Sequence, residues 1–162
     1  MQESNLIDPN LIEINIGSQT KEDVIKEMAT ILINNGYVKE TYLKAILERE
    51  KVFPTGLYTE SLGVAIPHAD IEHVIKPAIA VATLKNPVKF NVMENPENEI
   101  DIKIVFMLAI TDPKMQVNVL KNLVSLFQNK ELLIRLSEID NKQSMSLLLA
   151  ETLNFNINNK CI

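Results

Sequence analysis

Ile102-Lys103-Ile104-Val105-Phe106-Met107-Leu108-Ala109-Ile110, followed at once by Thr111-Asp112-Pro113, is the stretch that decides the fold. The run is β-branched, of strand length and almost continuously apolar, so a strand formed from it has two faces to bury and belongs in the middle of a sheet. Asp112 then supplies an N-cap and Pro113 a first helical residue whose missing N–H costs nothing, so a helix begins where the strand stops. Ala78-Ile79-Ala80-Val81-Ala82-Thr83-Leu84 is a second run of the same kind. Two such central strands among helical patterns imply one α/β domain, a mixed sheet of about five strands covered by helices on both faces.

Outward from these runs, Val88-Lys89-Phe90 reads as a short edge strand and Met93 to Glu99 as an exposed loop. After Asp112, Val117, Leu120, Leu123, Val124 and Phe127 form the helix's expected buried stripe. Two further helices are expected over Glu131 to Ser137 and Lys142 to Leu153, with Asn129 and Asp140 as caps. Toward the N-terminus, Leu11 to Ile16 alternates as a strand does, and Thr20, with Asp23 behind it, caps a helix that runs to Gly36. Thr41 to Lys51 is a second helix, with Leu43, Ile46 and Leu47 on its apolar side and a charged end. Phe53 to Leu62 is turn chemistry, built from Pro, Gly and hydroxyl residues.

The chain of 162 residues reads as one domain, 1–162, with its core over about 6–154 and a frayed tail after Asn154. A net charge of -5 with no clustered Lys/Arg face argues against nucleic acid as a partner. The one cysteine, Cys161, allows no disulfide framework and no thiolate metal set. The N-terminal residues lack the basic and apolar regions of a leader, and no run approaches 18 apolar residues, so the expected location is cytoplasmic.

The candidate chemistry sits at Gly63-Val64-Ala65-Ile66-Pro67-His68-Ala69-Asp70. Val64 to Ile66 read as a strand that Pro67 ends, which leaves His68 at a strand end, where α/β folds place reactive side chains. The residues alone leave His68 open as an acid, base, ligand, nucleophile or ordinary turn residue. They leave Arg49 open as a helix-dipole cation or as a bidentate anion holder. A metal site would have to combine His68 and His73 with Asp70 and Glu72, a poor set at that spacing. The start of the helix after Asp112 could turn free N–H groups toward the same crevice.

Glu48-Arg49-Glu50, then Pro54-Thr55-Gly56-Leu57, then Gly63-Val64-Ala65-Ile66-Pro67-His68-Ala69 resemble, in that order, the active-site signature of the EIIA domains of the sugar phosphotransferase system, fructose/mannitol superfamily. Pro77 to Leu84 and the single-domain length look most like the galactitol-type branch. The resemblance implies that His68 accepts a phosphoryl group from the phosphohistidine of HPr and passes it to a cysteine of an EIIB partner, which feeds the membrane permease EIIC. It implies no cofactor and no metal, and the chain lacks a Walker-type loop for a nucleotide donor. Arg49 matches the arginine beside the active histidine. Gln116 stands where fructose- and mannitol-type members carry a second histidine, so no acid–base role carries over, while its amide can still hydrogen-bond to phosphate. Thr55 and Gly63, within the signature, are implied as supporting residues. Leu57, Tyr58, Leu62 and Val64 could form an apolar rim for docking. A regulatory module of the same fold, whose phosphorylation state controls a partner protein, is the alternative function.

Overall fold

In the computed structural model, which describes residues 6–153, the two central runs form the long antiparallel pair β4 (Ala78–Asn91) and β5 (Glu99–Ala109). β1 (Ile12–Ile16) adds parallel to β4, and β3 (Gly63–Ala65) adds parallel to β5. β2 (Gly56–Leu57) closes the edge antiparallel to β3, giving the order β1-β4-β5-β3-β2 in a mixed five-stranded sheet. The tail expected to fray lies outside the described residues. Among those described, no helix is long and apolar enough to cross a membrane.

Alternation along the strands sorts the core into two layers. Ala78, Ala80 and Ala82 with Val105, Met107 and Ala109 face α1 (Lys21–Asn34) and α2 (Thr41–Val52). Ile79 and Val81 with Ile104, Phe106 and Leu108 face α3 (Pro113–Phe127), α4 (Lys130–Glu138) and α5 (Lys142–Thr152). The alanine face lets α1 and α2 lie close to the sheet, and the bulky face packs interdigitated side chains. Phe106 meets Phe127 with ring centroids 5.4 Å apart and tilted by 52°, a favoured aromatic geometry.

Several sequence expectations shift by a residue or by a face. Val88 to Phe90 is no separate edge strand but the continuation of β4, past a register slip between Thr83 and Val88. Lys103 donates to the carbonyls of Leu84 and Lys85 at this slip, supplying donors where the ladder is broken. The expected loop Phe53 to Leu62 contains β2, and the strand expected over Val64 to Ile66 begins and ends one residue earlier. α3 has more apolar residues than one face can hold. The stripe Val119, Leu123, Leu126 and Phe127 reaches the sheet and is buried, whereas Val117 and Val124 are 64% and 47% exposed. On α2 the buried line is Tyr42, Ile46 and Glu50, with Leu43 and Leu47 only partly covered.

The caps follow local chemistry. The Thr20 hydroxyl accepts from Asp23 N at 3.1 Å and Asn129 from Leu132 N at 3.1 Å, as their sequences indicate. α5 is capped by Asn141, accepting from Ser144 N at 2.8 Å, and not by Asp140, because Asn141 directly precedes the first helical residue. Gly36, at φ 78°, ends the helical segment in the left-handed region.

Two features of this frame bear on the segment leading to His68. Gly63 lies so close to β5 that a Cβ there would stand 2.1 Å from the Asp101 carbonyl oxygen. At the end of α2 the buried Glu50 carboxylate accepts from Thr55 N at 2.8 Å and from Thr55 Oγ1 at 2.9 Å, pinning the turn that follows. Burial pushes this carboxyl from 4.5 up to about 7, against the opposing pull of the Thr55 hydrogen bonds and of the Lys21 and Arg49 cations.

Gly63→Ala is therefore expected to destabilise the fold by about 1–3 kcal/mol, seen as a lower urea midpoint at unchanged slope. For Glu50, folding takes up a proton wherever the pH lies between the unfolded and folded values. Its stabilisation is complete below pH 4.5 and is lost as the pH rises to about 7. Relative to Glu50→Gln, the wild-type protein should lose up to about 3 kcal/mol across that window, checked by chemical denaturation at several pH values.

Candidate active site

β3 leads through Ile66 and Pro67 to His68 at the edge of the sheet's end. Pro67 has no N–H to give, but its carbonyl accepts from Leu108 N at 3.0 Å, and His68 pairs with Leu108 in an isolated parallel bridge. The fully buried Tyr42 of α2 donates its hydroxyl to the Leu108 carbonyl at 2.6 Å. Both backbone groups of Leu108 are thus committed, one to the segment bearing His68 and one to α2.

His68 is half-buried, and its Nδ1 lies 2.8 Å from the Ile66 carbonyl oxygen. A carbonyl can only accept, so Nδ1 holds the proton and Nε2 keeps a free lone pair. Burial lowers the imidazole's pKa below 6.5; the Arg49 charge lowers it further, while the Ile66 carbonyl and Asp70 oppose this. At neutral pH the ring is therefore predominantly neutral and nucleophilic at Nε2.

Arg49, in the last turn of α2, sits on the same helical face as Tyr42, two turns on. Its guanidinium approaches Asp70 Oδ1 at 3.4 Å and stacks over the Phe53 ring at 5.4 Å. Arg49 Nε is buried with no hydrogen-bond partner among the described residues. The cation thus stands beside the imidazole with a donor unspent.

Thr55 joins this group indirectly: its hydroxyl and N–H go to Glu50, and its carbonyl accepts from Ile66 N at 3.4 Å. Gln116 lies half-buried in the first turn of α3, which begins just past the end of β5, the strand that pairs with His68. Gly63 stands at the opposite end of β3 from His68, packed on the Asp101 carbonyl. The start of α3 offers fewer free donors than its sequence suggests, because Asp112 already accepts from Lys114 N at 3.0 Å and Pro113 has no N–H.

His73 Nδ1 turns to Thr41 Oγ1 at 2.9 Å. Among the described residues no three of His, Cys, Asp and Glu gather as a metal-holding group. At the C-terminal end of α3, Leu57, Tyr58, Thr59, Glu60, Val124, Phe127 and Gln128 line a cleft of about 450 Å³ that includes neither His68 nor Arg49. Of the expected rim, Tyr58 is 66% exposed and Leu57 and Leu62 are partly covered, but Val64 is 0% exposed, because β3 turns it into the bulky layer of the core. Sequence reading also passed over Glu50 and Tyr42. Glu50 was hidden in a run of surface-like charges, while Tyr42 is one helical turn before Ile46 and could have been found by extending that stripe.

Residues 5–152 match the family described as phosphoenolpyruvate-dependent sugar phosphotransferase system, EIIA 2. A fructose-specific EIIABC component of Bacillus subtilis is 32% identical over 149 residues, covering 90% of this chain but only 22% of that longer protein. A galactitol-specific EIIA component of Escherichia coli K12 is 28% identical over 126 residues, 76% of this chain and 83% of its own length. The crystal structure of the mannitol IIA of Escherichia coli has the same fold, with a TM-score of 0.73 at 26% identity over 89% of this chain and 99% of that one. Because the match runs from before β1 to the last turn of α5, through every segment that places His68 and Arg49, the chain belongs to the EIIA 2 family of the phosphoenolpyruvate-dependent sugar phosphotransferase system and is a phosphotransferase component.

Proposed function

We propose that this protein is a phosphoryl carrier that takes its phosphoryl group from phospho-HPr onto His68 and hands it to a cysteine of an EIIB partner for sugar uptake through EIIC. The observation that supports this most directly is the neutral imidazole with Nδ1 committed to the Ile66 carbonyl and Nε2 free beside Arg49. In the first step the Nε2 lone pair attacks phosphorus, the P–N bond to the donor imidazole breaks, and the electron pair returns to the donor nitrogen. In the second, the EIIB thiolate attacks the same phosphorus and the electron pair of the P–Nε2 bond returns to His68. The proton stays on Nδ1 throughout, donated in a hydrogen bond to the Ile66 carbonyl, which stabilises the positive charge that the phosphorylated ring acquires.

Such transfers ask the protein for alignment and for charge on the phosphoryl oxygens. Arg49 supplies a fixed cation whose buried Nε–H lacks an acceptor, and a phosphoryl oxygen is a fitting one. The Gln116 amide can add a neutral hydrogen bond. Thr55 and Gly63 act behind the site, one through the Ile66 peptide and the other through close strand packing. The exposed Tyr58 and the unburied Val117 and Val124 of α3 provide apolar surface for transient docking of both partners. Galactitol is the first sugar to test, given the similarity to a galactitol-specific component.

Incubation with phosphoenolpyruvate, enzyme I and HPr should add one acid-labile phosphoryl group by intact mass, absent in a folded His68→Ala protein; no label on the wild-type protein, or full label on the variant, rejects the reading. Arg49→Lys keeps the charge but loses the planar fork, and should slow transfer from phospho-HPr by about 10- to 100-fold with little change in half-saturation. Unaltered kinetics would return Arg49 to a helix-end role.

A further inference from the structure

We propose that Glu50 is a positioning residue for phosphoryl transfer: its buried carboxylate holds Thr55, and Thr55 holds the Ile66 peptide whose carbonyl selects the His68 tautomer. The proposal rests on reading His68 as the phosphoryl acceptor. The connection is continuous in the structure. Thr55 N and Oγ1 donate to the two Glu50 oxygens at 2.8 and 2.9 Å, Ile66 N donates to the Thr55 carbonyl at 3.4 Å, and His68 Nδ1 donates to the Ile66 carbonyl at 2.8 Å.

The weakest of these links is the long one between Ile66 and Thr55, and it lies next to a strand with little stability of its own. β2 is two residues long and sits at the sheet edge, paired with β3 through Gly56–Ala65 and Leu57–Val64. An edge pairing this short needs an external anchor to keep its register. On its other side the Gly56 carbonyl accepts from Met93 N at 2.9 Å, but Pro54, which precedes Thr55, has no N–H to contribute, so Thr55 itself is held by the two-point grip of Glu50, carried on the rigid end of α2.

A carboxylate suits this task because both oxygens accept, matching the two donors of Thr55. It is a costly choice for stability alone. Among the described residues Glu50 makes no ion pair within 4.0 Å, and its compensation comes from the more distant Lys21 of α1 and its neighbour Arg49. An amide or apolar residue would fill the space without a buried ionisable group. Glu50 is thus placed to act through Thr55 and Ile66 on the imidazole, while Arg49, one residue earlier, faces the phosphoryl group directly.

The test reads the tautomer itself. In long-range ¹H–¹⁵N spectra of the ¹⁵N-labelled chain at pH 8, wild-type His68 should show the Nδ1–H form, and Glu50→Gln should raise the Nε2–H share several-fold. His73, the second histidine of the chain, serves as the unchanged internal control. Transfer from phospho-HPr should fall by about tenfold in Glu50→Gln at constant half-saturation, as expected for a loss of alignment rather than of docking. Thr55→Val, which drops one of the two donors, should move the tautomer the same way to a smaller extent, and Thr55→Ser, which keeps both, should restore wild-type behaviour. A folded Glu50→Gln protein with an unaltered His68 tautomer overturns the proposal. If that variant does not fold, identical His68 tautomers in Thr55→Val and Thr55→Ser overturn it instead. Should the wild-type protein take no phosphoryl label, the acceptor reading fails by a separate measurement, while the tautomer spectra still decide whether Glu50 positions the ring.

Discussion

The main chain of Leu108 is where fold and chemistry meet. Its N–H goes to the Pro67 carbonyl at 3.0 Å and its carbonyl takes the Tyr42 hydroxyl at 2.6 Å, so one residue of a central strand fixes both the segment carrying His68 and the helix carrying Arg49. Buried backbone groups must find partners, and here the obligation is met by the elements that build the site. Burial of Tyr42 raises its pKa far above the ordinary value, so the phenol remains a neutral donor at any physiological pH. The site is therefore backed by core contacts on α2 and β5, the kind of support that holds reacting groups within fractions of an ångström.

Adjacent residues at the end of α2, about 100° apart around the helix, are put to different uses. Arg49 is partly exposed, beside Asp70 and Phe53, and lends its field to the imidazole. Glu50 turns inward, where its charge is expensive and its geometry useful. The two groups act on different targets: Arg49 on the charge around the imidazole, Glu50 on the Thr55 backbone and hydroxyl. The same economy shows at the slip in the β4–β5 ladder, where the Lys103 ammonium supplies donors to two carbonyls of the opposing strand. In both places an ionisable side chain completes backbone geometry that the regular hydrogen-bond pattern leaves open.

Much of the architecture was legible because it is local. Period-two and continuous apolar runs mark β1, β4 and β5, the side chains of Thr20, Asp112 and Asn129 mark helix starts, and Pro67 marks the end of the histidine strand. Helix faces were harder. α3 carries two apolar stripes, and packing against the bulky face of the sheet, where Phe127 meets Phe106, buries Phe127 and Val119 while Val117 stays out. β2 was illegible because two residues carry no period, and they become a strand only when β3 is there to pair with them.

By itself, the sequence determined the fold class and the order of the main elements, which rest on residue type and short-range spacing, and, through its resemblance to a family signature, the ordered block that holds Arg49, Thr55 and His68. Tertiary structure alone decided that Glu50 lies inside, that Val64 is core rather than rim, and that Nδ1 rather than Nε2 of His68 holds the proton. These depend on where distant segments meet: Tyr42 and Leu108 are 66 residues apart in the chain yet share a hydrogen bond, and no local pattern specifies which buried group will find which partner.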